Sequence, residues 1–499
     1  MMTNSQPSAP IPPSEPLPFA FARRNKVLLI TDDEHNTQLI YQPETEHLAL
    51  LEATRKEPAI TQLTKVDAEQ FEQQLQEQYQ KEDFQAQKVV EDIHDEFNLS
   101  QIAQQLSEPT DLLEAADDAP IIRLINALLS EAISENASDI HIDPYEQRLL
   151  IRMRVDGELR NMIQPPLSIA PLIVSRIKIM AKLDISEKRL PMDGRISVRI
   201  ANRPVDLRVS TMPSGLGERV VLRILDKQAG RLQLEQIGMA PKLISQLDRL
   251  IHKPHGIILV TGPTGSGKTT TLYAALSRLN SAKRNIMTIE DPIEYNLDGI
   301  AQAQVNNKID FSFARGLRAI LRQDPDVVMI GEIRDSETAQ IAIQASLTGH
   351  LVLSTLHTNS ATGAITRLQD MGTEPFLLSS SLLAVLSQRL LRTLCTNCRE
   401  PYQSSPTECE TLGVETPVKL YRPIGCNRCG QSGYRGRTGI HELVEIDEPL
   451  RRMIHDEAPQ YELEKKVFST TQTLQQSGLD KVLNGSTSFD ELLRVTHEG

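Results

Sequence analysis

Apolar positions form short continuous runs near the start of the chain and recur at helical spacing after them. Val27-Leu-Leu-Ile30 and Leu39-Ile-Tyr41 read as short strands, and the Gln-, Glu- and Lys-rich stretch 66–90 carries apolar residues at helical period. Residues 19–98 are thus expected to form a small α+β domain. Before it, 1–18 holds Pro7, Pro10, Pro12, Pro13, Pro16 and Pro18, which forbid a helix or ladder and predict a disordered lead. The acidic segment 99–118, broken by Pro109, reads as a linker.

A second α+β domain is expected over 119–228. Ile121–Ile133 has a helical pattern, and five strand-like runs follow: 140–142, 149–155, 196–200, 205–209 and 220–225. Asp156-Gly157 and Asp193-Gly194 are turn signals. Arg152, Arg154, Arg199, Arg208 and Arg223 sit within the strands, on faces expected to look at solvent or at an anion. From 236 to 394 the pattern becomes strand–loop–helix alternation, the signature of an α/β domain with a mainly parallel sheet. A cysteine-bearing insert occupies 395–430. The remainder, 431–499, reads as helical, most clearly from about 441, with Leu443, Leu450, Ile454, Leu463 and Val467 in phase. No solenoid-type repeat is visible.

Composition narrows the function. The chain has 499 residues, which at roughly 150 per domain predicts about three domains. Aromatics are 4% and Trp is absent, against a base-stacking surface. A net charge of −13 argues against nucleic acid as the main partner. No run nears the ~18 apolar residues of a membrane span, and the N-terminus lacks the apolar core of a secretory signal. The expectation is a cytoplasmic protein that meets membranes only through partners or a local surface patch.

The chemistry begins at Gly262-Pro263-Thr264-Gly265-Ser266-Gly267-Lys268-Thr269, followed by Thr270. It follows the apolar run 257–260 and opens a helical stretch, the context a phosphate loop requires. Glycines let backbone N–H groups turn inward around a phosphate, and a helix N-terminus adds positive potential. Lys268 is expected to reach the β- and γ-phosphates of ATP, and Thr269 to ligate Mg²⁺. Glu332 ends the apolar run Val327–Ile330 after Gly331, in place to polarise a water. Gly331 stands where many such enzymes have an Asp, so Glu290, Asp291 and Glu294 become candidate replacements at a strand's carboxyl end. Three acids around a proline also describe a solvated turn. His350 and His357 bracket another apolar strand; they are either packed there or hydrogen-bond a γ-phosphate, and the pattern leaves both open. Cys395-x-x-Cys398 and Cys426-x-x-Cys429 have the spacing of a four-thiolate zinc site, with Cys409 left over.

Taken together, GPTGSGKTTTLY, TIEDPIEY, LRAILRQDPDVVMIGEIRD and TGHLVLSTLHTN resemble the secretion ATPase superfamily. SDIHIDP (138–144) and KRLPMDGR (188–195) are similar to the domain preceding the motor in its secretion and pilus-assembly branch. The lead into the first domain, Leu17–Arg24, is similar to the type II secretion ATPases, the E proteins of the general secretion pathway. That resemblance implies a RecA-like P-loop motor, a PAS-like preceding domain, a zinc insert and a helical tail. It makes Glu290, Asp291 and Glu294 an aspartate box, Glu332 the Walker B glutamate, and His350 and His357 a histidine box. It makes Arg208 and Arg223 arginines that reach the γ-phosphate when the domains close, and matches Arg318, Arg322 and Arg334 to basic positions of the motor. It further implies ATP, Mg²⁺ and Zn²⁺, a homo-hexamer, and docking of 19–98 on the cytoplasmic part of a bitopic inner-membrane protein. A polytopic platform protein and acidic lipid are further implied partners. Type IV pilus assembly is the competing system for the same motor, and a nucleic-acid translocase or a non-hydrolysing scaffold the rivals of other classes.

Overall fold

Val27, Leu29 and Leu39 face one side of a three-stranded sheet because strand residues alternate sides. The computed structural model describes residues 22, 25–31, 37–43, 45, 47–56, 60–67, 70, 71, 74, 120–200, 203–225 and 232–497. The expected lead 1–18, the linker 99–118 and most of the stretch 66–90 lie outside the described residues. The chain divides into two compact units, Met1–Glu108 and Pro109–Gly499.

In the first unit, β1 (Val27–Thr31) and β2 (Thr37–Tyr41) are antiparallel, and β3 (Ile60–Lys65) joins parallel to β2. A parallel neighbour needs a crossover, which the helix His47–Lys56 supplies. Its Ala49 and Ala53 are buried with Val27, Leu39 and Phe71. β3 escaped sequence reading because it has no buried face pattern: Leu63 is 64% exposed.

The second unit opens with the helix Pro120–Ser134 and a six-stranded antiparallel sheet. Its strands are β4 (Asp139–Pro144), β5 (Leu149–Val155), β6 (Glu158–Ile163), β7 (Met192–Ile200), β8 (Arg203–Ser214) and β9 (Gly217–Leu225), ordered β6-β5-β4-β9-β8-β7. Asp156 and Gly157 both take positive φ and close the β5–β6 hairpin. Asp193-Gly194, expected as a turn, instead lies inside β7. A Cβ on Gly194 would stand 2.9 Å from the Ala181 carbonyl oxygen, so glycine there permits a close approach of two chain segments, not a turn.

The motor sheet follows: β10 (Gly256–Thr261), β11 (Ile286–Glu290), β12 (Ala301–Gln304), β13 (Val327–Ile330), β14 (Leu351–Leu356), β15 (Leu382–Leu394) and, after the short hairpin β16 (Glu400–Gln403) and β17 (Lys419–Arg422), β18 (Tyr434–Glu445). The order is β12-β11-β13-β14-β10-β15-β18. All pairs are parallel except β15–β18. Alternate residues of β10 feed two cores. Ile257 and Leu259 pack with the helices Phe313–Ile320 and Ser336–Leu347, while Ile258 and Val260 pack with Pro241–Ile251 and Lys268–Leu279. A sheet covered on both faces explains why its strands read as continuous apolar runs.

The expectation of a helical region over 431–499 is corrected at its start, where β18 adds the antiparallel edge of the motor sheet. Ile440, Leu443 and Val444 are buried at spacings of three and four, which imitates a helix. Pairing with β15 decides the matter, and no local pattern reports that partner. Beyond it, the helices Glu448–His455, Gln460–Thr470, Leu474–Leu483 and Phe489–His497 do form. Leu450, Ile454, Leu463 and Val467 bury into the motor core itself.

Candidate active site and cysteine cluster

β10 delivers the chain to the phosphate loop at the sheet's carboxyl edge. Thr261, at its end, donates through Oγ1 to the carbonyls of Thr358 at 2.8 Å and Leu356 at 3.2 Å, tying the loop to the end of β14. Gly267 takes positive φ and caps the helix Lys268–Leu279 with no side chain on its first N–H groups. Those donors therefore face outward, available to an anion. Pro263, Thr264 and Gly265 are exposed, Ser266 is buried, and Thr269 and Thr270 lie in the helix's first turn. The Lys268 ammonium donates to the carbonyls of Gly262 at 2.8 Å and Pro263 at 3.1 Å. Burial lowers its pKa from the ordinary 10.5, while Glu332 nearby pulls the other way.

Glu332 lies just past β13, beside the phosphate loop. Its two carboxylate oxygens meet different partners: Arg334 Nη2 donates to Oε1 at 2.6 Å, and His357 Nε2 stands 3.4 Å from Oε2. Thr355 Oγ1 donates to the Gly331 carbonyl at 2.7 Å, fixing the turn that presents the glutamate. Burial and the charge of Lys268 lower the His357 pKa, against the pull of Glu332. A neutral His357 can accept or donate one hydrogen bond beside the glutamate. The paired histidines are not brought together. His350 sits at the amino end of β14, a strand length of roughly 20 Å from the phosphate edge. There its Nδ1 lies 2.9 Å from the Ala345 carbonyl oxygen and 3.2 Å from Thr348 Oγ1. Of the two readings open for it, the structure corrects the histidine-box one towards packing at the strand end, because a parallel strand puts its two ends on opposite edges of the sheet.

The three acids after β11 also separate. Glu290 is 2% exposed and its carboxylate accepts from Tyr273 Oη, from Thr288 Oγ1 at 2.5 Å and from Gln302 Nε2 at 3.0 Å. These bonds hold β11, β12 and the phosphate-loop helix together, so Glu290 is occupied within the protein. Asp291 is exposed and within electrostatic reach of Arg334. Glu294 is raised above its ordinary 4.5 by burial, with Arg208, Arg223 and Arg195 pulling it down.

Those arginines form one row. The register pairs Arg195 with Arg208, Arg208 with Arg223, Arg223 with Asp139 and Asp139 with Arg154. Like charges directly opposite across strands are unfavourable alone, so the row needs anions. Asp139 supplies one: Arg223 Nε donates to its Oδ1 at 2.8 Å, and Arg154 Nε stands 3.8 Å from Oδ2. Glu294 supplies another from the motor. Arg195 also bridges to the motor, donating to Gln304 Oε1 at 3.3 Å. A cavity of about 820 Å³ opens beside the row, lined by Arg195, Glu294, Tyr295, Leu234 and Arg278. Sequence reading singled out Arg208 and Arg223 but missed Arg195, Tyr273 and Gln388. Arg195's in-register position with Arg208 is visible only once β7 and β8 are paired.

Cys395, Cys398, Cys426 and Cys429 meet, their ligand atoms all within 4.8 Å of one another. Three Sγ–Sγ separations are 3.9 Å (Cys395–Cys426), 3.8 Å (Cys398–Cys429) and 3.7 Å (Cys426–Cys429). A tetrahedral ion at ~2.3 Å from each thiolate spaces sulfurs by about 3.8 Å, whereas a disulfide needs ~2.05 Å. The geometry therefore fits a four-thiolate metal site. Cys409 lies apart, buried, with its Sγ 3.1 Å from Ser404 Oγ.

A phosphate loop at the carboxyl edge of a parallel sheet, with a glutamate at the same edge one strand removed, defines a P-loop ATPase. The chain belongs to the type II/IV secretion system protein family, whose model matches residues 114–494, and the model of an N-terminal domain of GSPII protein E matches residues 16–79. It is 58% identical over 483 residues to type II secretion system protein E of Dickeya dadantii, covering 97% of each chain. It is 56% identical over 486 residues to type II secretion system ATPase E of Vibrio cholerae, again covering 97% of each. Among solved structures, the Legionella pneumophila ATPase DotB matches with a TM-score of 0.58 at 22% identity, over 79% of this chain and 98% of that one. The pilus retraction motor PilT with bound ADP matches at 0.51 and 26% identity, over 74% and 96%. The chain is thus an ATP-hydrolysing secretion ATPase of the type II branch, and the motor fold is that of DotB and PilT.

Asp139→Asn is expected to destabilise the second unit by about 1 kcal/mol, since it leaves Arg223 and Arg154 without their anion. Burial raises the Asp139 pKa, but hydrogen bonds from Arg223 and Ser138 outweigh it and hold it below 3.8. A depressed carboxylate stabilises the fold above the unfolded pKa and loses that contribution as pH falls through the folded one. Urea unfolding at pH 7 and pH 3 checks this: the gap between parent and variant should shrink on acidification, and an equal gap at both would contradict the pairing.

Proposed function

We propose that this chain works as a homo-hexameric ring on the cytoplasmic side of the inner membrane, where its ATP hydrolysis drives assembly of a pilus-like fibre and so protein export by a type II secretion system. The observation that carries the catalytic reading is the position of Glu332. It stands beside Lys268, with Arg334 on one carboxylate oxygen and His357 on the other. In this reading Glu332 orients and deprotonates the attacking water, and His357 contacts the γ-phosphate region. Lys268 exchanges the Gly262 and Pro263 carbonyls for phosphate oxygens. Residues Gly262 to Thr270 cradle the phosphates, and Thr269 would hold Mg²⁺, with Asp291 and Glu294 nearest in kind. The ion, when bound, neutralises charge on the β- and γ-phosphates. Arg208, and Arg223 on release from Asp139, turn to the nucleotide and stabilise charge developing in transfer; such arginines contribute roughly 10³–10⁵ in rate. Glu290 acts here as a strut for the strand ends.

The cysteine cluster holds a structural Zn²⁺, since four thiolates fill a tetrahedral shell. The first domain, 19–98, docks on the cytoplasmic part of a bitopic inner-membrane protein. What supports that is the match to the N-terminal domain of GSPII protein E, which falls on this unit alone. A polytopic platform protein is the element moved, acidic lipid is a further partner, and nucleic acid is none. Among the described residues no helix is long and apolar enough to cross a membrane.

Three outcomes are expected. Glu332→Gln should lower ATP turnover by about 10²–10⁴ while nucleotide binding persists, measured by phosphate release and by a fluorescent ATP analogue; retained turnover refutes its role. Metal analysis of freshly purified protein should find about one zinc per chain, lost in Cys398→Ser/Cys429→Ser; a metal-free preparation sinks the zinc reading. ATPase activity should rise on adding the cytoplasmic domain of the bitopic protein, and the rise should vanish without residues 1–98. Stimulation by a pilus-assembly platform or by DNA instead would reassign the system served.

A further inference from the structure

The phosphate loop is held from behind by a side chain outside its motif. Gln388 lies on β15, 2% exposed, immediately after Ser387, which pairs with Thr261 at the end of β10. Its amide spans the loop and the helix the loop opens. Nε2 donates to the Ser266 carbonyl at 2.6 Å, and Oε1 accepts from Thr271 Oγ1 at 2.8 Å. The Thr271 bond orients the amide, since the carbonyl of Ser266 accepts only from the nitrogen end. Contact is close at two glycines, a clash for any side chain at the first and a tight fit at the second. A Cβ on Gly262 would stand 2.5 Å from the main-chain carbonyl oxygen of Gln388, and one on Gly267 would stand 3.2 Å from its side-chain Nε2.

We infer that Gln388 is a positioning residue for ATP, which sets the direction of the phosphate-binding N–H groups through the Ser266 carbonyl. The peptide between Ser266 and Gly267 is planar and trans, so its N–H points opposite its C=O. Anchoring the carbonyl toward β15 aims the Gly267 N–H toward the open side of the loop, where Pro263, Thr264 and Gly265 are exposed. Without the anchor the peptide is free to rotate, and a carbonyl turned outward would meet phosphate oxygens with like partial charge. The Ser266 carbonyl would also be left buried without a donor. The effect belongs to nucleotide binding, because the cradle grips ground state and transition state alike.

Gln388→Glu is the test, on the full chain at pH 8. It keeps the volume and the acceptor for Thr271 but removes the N–H for Ser266. The expected result is a KM for ATP raised about tenfold with kcat within about threefold of the parent, and a fluorescent ATP analogue bound correspondingly more weakly. A merely structural role would lower the active fraction, and hence kcat, and leave KM unchanged. A folded Gln388→Glu protein with KM within twofold of the parent overturns the inference. If that variant fails to fold, judged by circular dichroism and gel filtration, Thr271→Val decides. Losing the bond that orients the amide should raise KM about threefold, and an unchanged KM overturns the inference equally.

Discussion

The register of β10 between β14 and β15 is the constraint on which the chemistry depends. Gly256 to Thr261 pair with Leu351 to Leu356 on one side and run parallel to β15 on the other. Those ladders, continued through β13 to β11, bring the ends of four strands to one edge. There the phosphate loop, the strut Glu290, the glutamate Glu332 and His357 converge, though their positions in the chain are far apart. A shift of one residue in any of these strands would also turn its buried side chains to the wrong core. Core packing on both faces of the sheet thus enforces the geometry of the site.

Electrostatics at that edge is balanced but unsaturated. Lys268 leans on two backbone carbonyls, Glu332 on Arg334, and the arginine row on Asp139 and Glu294. Each is a pairing within the protein that a polyphosphate competes with. In two of these pairs the base is the exposed member: Arg334 and Arg223 are more than half exposed, while Glu332 and Asp139 are mostly covered. At those two pairs burial fixes the acid and leaves the arginine free to move, which suits a site that must exchange anions, whereas Lys268 is itself buried.

β15 links two parts of the chain that sequence reading treats as separate domains. Within one strand it carries Gln388 behind the phosphate loop and Arg392, which pairs with Glu491 of the last helix, and then it delivers Cys395 to the cysteine cluster. Arg160 of the preceding sheet donates to the Cys429 carbonyl at 3.4 Å. The cysteine cluster is therefore braced on the motor sheet and on the preceding sheet at once.

The residues by themselves determined the phosphate loop, the glutamate after an apolar run, the paired CxxC knuckles and most strands of the motor. In each case the required chemistry is local: glycines beside a lysine, four buried residues in a row, two thiols one turn apart. Tertiary structure alone decided the rest. Only strand pairing sets Arg195 beside Arg208, sends His350 to the far edge from His357 and makes a strand of Tyr434–Glu445, whose spacing imitates a helix. Only side-chain packing reveals that Glu290 is occupied by Tyr273, Thr288 and Gln302, and that Gln388 stands behind the loop. Period and motif record what neighbours in sequence do, whereas hydrogen bonds between strands join residues a hundred positions apart and leave no local trace.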